Sequence, residues 1–373
     1  MKINNSIPYI LPAVLLVAAG YSARSLRGMR DADVKDPGLA MRNGASVPMI
    51  EFVNVALGGF RGLAADLLWL RASRLQEERR FVELAQLSDW ITKLEPRLAE
   101  VWVYHAWNMA YNISVLTARG EDRWLWIQNG VELLRDGALP LNPRNATIQR
   151  ELGWIFQHKI SSDSDRRFAA FYRSRWASEI APYLAPGGAI PEDDDYASDE
   201  LRERFRMEPA LMREIEARFG RIDWRLPTAQ SLYWAWRGLD TATAPERLPC
   251  RRMIYTTLGD MAFGSGILVG DPSQEDYRFA AKPNPVLIIP TAAFYEETMQ
   301  AHDFVGIRTS YIGFMTDGMR YLHAVGDERN ARLFHGKIAA FFRNAGVEYP
   351  PYESALSAGG DIDTEFMRKA GYY

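Results

Sequence analysis

Leu139-Pro140-Leu141-Asn142-Pro143-Arg144-Asn145-Ala146-Thr147-Ile148-Gln149-Arg150-Glu151-Leu152-Gly153-Trp154-Ile155-Phe156 is the stretch whose reading decides the fold. It reads as the end of one helix, a sharp stop, and the start of the next helix. Pro143 cannot continue the first helix, because it has no N–H and its ring clashes with the preceding turn. Beyond it, Ile148, Leu152, Ile155 and Phe156 recur at helical spacing on one face. Gly153 falls on that helix where a missing side chain lets a neighbouring helix come close.

The order Leu-x-Pro followed by Leu-Gly-x-x-aromatic resembles the junction between tetratricopeptide (TPR) repeats. The resemblance implies an all-α, TPR-like solenoid of antiparallel helix hairpins that acts as an interaction scaffold. It names no partner. In this register Leu152, Gly153 and Phe156 hold the family's Leu, Gly and Tyr positions, and Gln149 replaces its Trp. One unit earlier, Trp102, Ala106 and Met109 match the Trp, Gly and Tyr positions in size, and His105 stands where Leu is usual. The closing prolines Pro96 and Pro143 are 47 residues apart, against about 34 in the family. The array is TPR-like rather than strict.

Outward from this junction, the helix pairs are Leu63 to Glu78 with Phe81 to Leu94, then Val101 to Val115 with Trp124 to Leu134. A third is Ile148 to Ile160 with Phe168 to Ile180. A hairpin of this kind cannot bury its apolar side alone, so stacking is expected over residues 49–185. Residues 186–224 break the pattern. Pro186-Gly187-Gly188 leads into Glu192–Glu200, with six acids in nine residues. That run lacks the Gly and the final Glu of an EF-hand loop, so it reads as a solvated acidic loop followed by short helices. Residues 225–346 return to helix, and Val325-Gly326-Asp327-Glu328-Arg329-Asn330-Ala331 resembles the TPR inter-helix turn within a hairpin near 304–345. Strand is expected only near Val286–Ile289. Residues 347–373 read as a loose tail.

Residues 7–21 carry no charge and follow Lys2, as in a signal h-region, with weak cleavage sites at Ala18-Ala19-Gly20 or Tyr21-Ser22-Ala23. Extended to residues 7–23 the run also serves as a membrane anchor, though it is short against the roughly 20 residues of a spanning helix. A buried N-terminal helix is the third reading. Residues 1–24 are thus a signal or anchor segment, and 25–48 a tether without apolar periodicity. Arg24, Arg27, Arg30 and Lys35 follow the run, and the positive-inside rule would keep that side cytoplasmic. The habits of membrane-anchored TPR proteins point instead to an inner-membrane, single-pass protein with its body on the periplasmic side.

Lys and Arg number 44 against 47 Asp and Glu, a net charge of −3. That balance leaves no electrostatic footprint for nucleic acid. Cys250 is the only cysteine, which excludes an intrachain disulfide and a cysteine zinc cage. The five histidines form no H-E-x-x-H pair, and no G-x-S-x-G elbow occurs. The glycines Gly264, Gly266 and Gly270 lack the spacing of a phosphate loop. The expectation is therefore no catalytic residue, no metal and no cofactor.

In TPR arrays the first helix of each pair lines a concave surface, at positions one and five residues after the small residue. On this chain the resemblance points to Trp107 and Tyr111, and to Trp154 and His158, with Arg150 one turn earlier on the same stripe. Aromatic rings with Arg and His at i, i+4 suit an extended peptide or an amphipathic helix of a protein partner. The alternative is that Trp107 and Trp154 pack between repeats. The expected function is a non-enzymatic envelope scaffold, serving a secretion, pilus or polysaccharide assembly. Its rivals are a carbohydrate-binding module on the Trp/Tyr stripe, and an enzyme with its site in 186–300, near Asp223, Trp224 and Arg225. Deleting residues 1–24 should release a soluble, folded protein, judged by an unchanged melting temperature. Loss of folding would make that segment part of the core.

Overall fold

A computed structural model describes residues 61–192, 194–274, 277–357 and 361–371. The signal or anchor segment and the tether lie outside the described residues. The chain is predominantly α-helical, with one small two-stranded antiparallel sheet among the described residues. None of the described helices is long and apolar enough to cross a membrane. Two compact units divide at Asn108/Met109, within what the sequence reads as the second helix pair.

The first unit contributes α1 (Arg61–Glu77), α2 (Phe81–Leu94) and α3 (Ala99–Trp107). Glu95-Pro96 ends α2 as the sequence implies. Ala72, Leu75, Leu84, Ile91 and Val101 form its core, flanked by Leu68, Phe81 and Leu87. Trp69 meets Tyr104 edge-on at 5.1 Å, and the Tyr104 hydroxyl donates to Gln76 Oε1 at 2.6 Å. His105 is 2% exposed, and neither ring nitrogen has a hydrogen-bond partner among the described residues. Burial therefore lowers its pKa from 6.5 to about 4, with the charge of Asp89 opposing the shift.

In the second unit, α4 (Gly120–Glu132) runs into a π-helical segment, Leu133–Ala138, and the turn Leu139–Leu141. Asn145 then caps α5 (Ala146–Trp154), its side-chain oxygen accepting from Ile148 N at 2.9 Å. A second π-helical segment, Ile155–Ser161, follows α5 directly. After it come α6 (Ala169–Ile180), α7 (Asp195–Glu203) and α8 (Pro209–Phe219). Next are α9 (Pro227–Thr241) and α10 (Ala244–Phe263), then strands β1 (Ile267–Val269) and β2 (Ala280–Lys282). The chain closes with α11 (Ile288–Ala301), α12 (Val305–Ala324), α13 (Glu328–Asn344), α14 (Tyr352–Ser357) and α15 (Asp361–Lys369).

The middle of this unit is the packing of α5, α9 and α10. A Cβ on Gly153 would lie 3.2 Å from Ser231 O, 3.4 Å from Trp234 Cβ and 3.0 Å from Met253 Sδ. At the other end of α5, a Cβ on Gly238 would lie 3.4 Å from both Ala146 O and Cys250 Sγ. These pairings make α5 antiparallel to α9 and parallel to α10. Cys250 is buried there with Ala146 and Ala242, and burial pushes its thiol pKa up to about 11.

Three expectations are corrected. The acidic run is loop only at its start, because Asp194 N-caps α7 by accepting from Ala197 N at 3.0 Å. Asp195 then lies in the first turn, where the helix dipole favours a carboxylate. Strand occurs at Ile267–Val269 and Ala280–Lys282, whereas Pro285–Leu287 is a 3₁₀ turn and Ile288 opens α11. Leu287 and Ile288 are buried while Val286 and Ile289 face out, and so short an apolar run cannot by itself tell helix from strand. The tail is packed rather than loose. Tyr349 stacks on Phe342 at 5.2 Å, and Phe366 meets both rings edge-on. The α12–α13 turn is as the sequence reads it: Gly326 takes φ 85° and the Asp327 side chain caps α13 by accepting from Asn330 N.

The neutral His105 sets a pH dependence. The unfolded chain takes up a proton below pH ~6.5, while the folded ring resists until about pH 4, so stability falls as pH drops through that window. At pH 5 the loss from this one group is about 2 kcal/mol. His105→Leu should raise the melting temperature more at pH 5 than at pH 7.5. An equal change at both pH values would place the acid sensitivity elsewhere.

Candidate functional site

Three of the five residues selected from the sequence line one cavity in the second unit. Arg150 and Trp154 project from α5 and His158 from the π-helical segment after it, into a space of about 670 Å³. Trp154 and His158 stack at 5.0 Å with their planes 8° apart. Both are half-buried, and Trp154 Nε1 and His158 Nδ1 have no partner among the described residues. The opposite wall is α10, whose Leu248, Pro249, Arg252, Met253, Thr256 and Asp260 recur at three- and four-residue spacing on one face. Phe304 lies at the rim.

Gln157, Ser162, Thr256 and Asp260 also line a second, adjoining cavity of about 650 Å³. Its further lining includes Ser161, Asp163, Tyr255, Phe263, Tyr295, Phe314 and Asp317. The two adjoining cavities form a groove with residues 150–162 on one side and α10 on the other, its second half lined also by Tyr295 of α11 and by Ser310, Phe314 and Asp317 of α12. Gln157 Nε2 bridges the walls, donating to Thr256 Oγ1 at 3.0 Å and Thr257 Oγ1 at 2.9 Å. Beneath them Thr257 shares a hydrogen bond of 3.2 Å with Ser231 of α9. Asp260 stands open at the junction of the two cavities, and partial desolvation raises its pKa above the usual carboxylate range. Tyr255 and Tyr295 pack at 4.2 Å, their hydroxyls shifted up by burial.

Tyr111 does not line the groove. Its ring lies 5.7 Å from the His158 ring and 5.7 Å from the Lys159 ammonium. Burial pushes its hydroxyl pKa up. Tyr111 therefore contacts His158 without lining either cavity. Trp107 belongs to the first unit and is 36% exposed.

Arg252, Met253, Asp260 and the rest of the α10 wall were missed in the sequence. Their only signal is an apolar and polar stripe at helical spacing, and nothing in it says that residues 248–260 face residues 150–162.

Lys159 is 3% exposed and lies 3.5 Å from Asp165, which also accepts from Arg123 at 3.0 Å and from the Tyr172 hydroxyl at 2.8 Å. Desolvation lowers the Lys159 pKa, with Asp165 opposing. Desolvation also pushes Asp165 up, but the Tyr172 hydrogen bond and the two cations outweigh it and hold Asp165 low. This satisfied cluster lines neither half of the groove.

Asp223, Trp224 and Arg225, the place named for a possible enzyme site, form a clamp. The Asp223 carboxylate accepts from Arg225 Nε at 2.9 Å, Arg225 Nη2 at 2.7 Å and Leu268 N at 2.8 Å. Gly188, at φ 71°, abuts it, since a Cβ there would fall 2.0 Å from Asp223 Oδ1. Trp224 is fully buried and donates to Glu216 at 3.0 Å. Among the described residues no group of His, Cys, Asp and Glu could hold a metal ion. Comparison with protein families, curated proteins and solved structures finds no match to this chain.

The packing of α5 on α9 and α10 at Gly153 should tolerate no added side chain. Gly153→Val places branched carbons against Ser231 O and Met253 and should cost about 1–3 kcal/mol. Gly336, in the interior of α13 with nothing within 4 Å of a Cβ, is the control. Gly336→Ala should add up to about 1 kcal/mol through helix propensity. Chemical denaturation of both variants checks the contrast.

Proposed function

We propose that this chain is a non-enzymatic, TPR-like helical scaffold that holds a segment of a partner protein in the groove between residues 150–162 and α10. The single observation carrying this is that Arg150, Trp154 and His158 meet an opposing helix face across one cavity. The opposing α10 wall from Leu248 to Asp260 is about 18 Å long at 1.5 Å per residue, enough for an extended peptide of about five residues. Trp154, Met253, Phe304, Phe263 and Phe314 supply apolar lining, and Gln157, Thr256 and Ser162 supply hydrogen-bonding groups. That mixture matches the way grooves hold peptides, with side-chain pockets beside polar groups for the backbone.

The TPR-like part of the proposal draws on the helix pairs, the Gly326–Asp327 turn and the close approach at Gly153. Residues 7–23 would hold the protein at the inner membrane with its body on the periplasmic side, in an envelope assembly.

Trp154→Ala tests the groove. Truncating a half-buried anchor at an interface commonly costs 2 kcal/mol or more of binding. Trp234, 1% exposed in the core, is the comparison, since removing a buried Trp costs on the order of 3–5 kcal/mol of stability. Trp154→Ala should lower the melting temperature clearly less than Trp234→Ala, while reducing binding in a peptide screen at least tenfold. Retained peptide binding, or binding to glycans in place of peptides, would end the proposal.

A further inference from the structure

We infer that the groove is polarised along its length and takes an extended peptide segment with an acidic side chain at one end and a basic side chain about four residues away. This rests on the peptide-binding reading above and names its ligand class. One half of the groove is lined by Arg150, His158 and Arg252, and the other by Asp163 and Asp317, with Asp260 at the junction. Among the described residues, no Lys, Arg or His lines the acidic half.

Two of these charges carry the argument. Arg150 is engaged by Glu151, and Asp163 by Arg173 at 2.6 Å. Arg252 and Asp260 are both exposed at the groove, and among the described residues neither belongs to an ion pair. They stand eight residues apart on the same helix, about 12 Å at 1.5 Å per residue. An extended chain covers about 13 Å in four residues at roughly 3.3 Å each, close to that separation, and side chains four apart on a strand point the same way. An acid and a base at that spacing would each meet its opposite, while a segment with two like charges would meet one repulsive end. Charge at a rim of this kind chiefly sets which partner is accepted.

Four capped, fluorescein-labelled pentapeptides test this on the full chain by fluorescence anisotropy. They share the centre Leu-Thr-Leu and carry Glu and Lys, two Glu, two Lys or two Gln at their ends. The Glu/Lys probe should bind roughly threefold to tenfold more tightly than the others, with the margin shrinking as salt rises. Arg252→Glu should weaken that probe and improve the two-Lys probe. Asp260→Lys should weaken it and improve the two-Glu probe. Arg252→Gln and Asp260→Asn, milder changes at exposed positions, should each erase one preference without creating a new one. Equal binding of all four probes would overturn the polarity and leave the groove as a peptide site. No binding of any probe at 1 mM would overturn the peptide-binding reading as well.

Discussion

The rest of the second unit depends on the close approach of α5 to α9 and α10 at Gly153. Three contacts of 3.0–3.4 Å converge on the place a Cβ would occupy, one of them with a backbone oxygen that cannot rotate away. Interiors packed this tightly transmit the loss or gain of a single carbon. The same contact brings Met253 against α5 and so sets the spacing between α5 and α10. Gln157, reaching Thr256 and Thr257 one turn further on, fixes that spacing a second time with hydrogen bonds. A groove whose walls are held both by apolar contact and by hydrogen bonds is preorganised, which reduces what binding must spend on ordering.

The π-helical segment Ile155–Ser161 lies where the wall changes character. Bonding from i to i+5 is unfavourable over long runs and recurs at functional sites. Here it follows directly on the glycine contact, and its side chains divide between two tasks. His158 stacks on Trp154 in the groove wall, while the adjacent Lys159 is buried against Asp165 and two tyrosine rings. Breaking such a buried ion cluster from one side leaves an uncompensated charge, which is strongly destabilising. The π-helical wall is thus tied to a polar cluster that lines neither cavity.

Much of the helix layout was legible in the sequence, because it is written in local chemistry. Phe81–Leu94 has the extent read from the sequence, closed by Glu95-Pro96, and Pro209–Phe219 runs from a first-turn Pro to Gly220. The turn at Gly326–Asp327 needed only a positive φ and a cap. Arg150, Trp154 and His158, which the TPR resemblance and i, i+4 spacing pick out, line one wall of the first cavity. Its other wall was not legible. Periodicity reveals that α10 has an inward face but not what that face meets about a hundred residues away. The Val286–Ile289 run, too short to show its period, was misplaced as strand. The acidic run was misread because charge density hid Asp194, a capping residue that starts a helix.

The placement of buried and exposed charge completes the argument for a recognition surface. Asp223 with Arg225, and Asp165 with Lys159 and Arg123, are charges the fold has enclosed and satisfied. Arg252 and Asp260 stand at the groove with no such partners among the described residues. They could have neutralised each other at i, i+4 on α10, where opposite charges stabilise a helix by about 0.2–0.5 kcal/mol. At i, i+8 they are one turn too far apart for that. The spacing leaves both charges available to a ligand lying along the helix, and gives the cleft a direction that its apolar lining alone would lack.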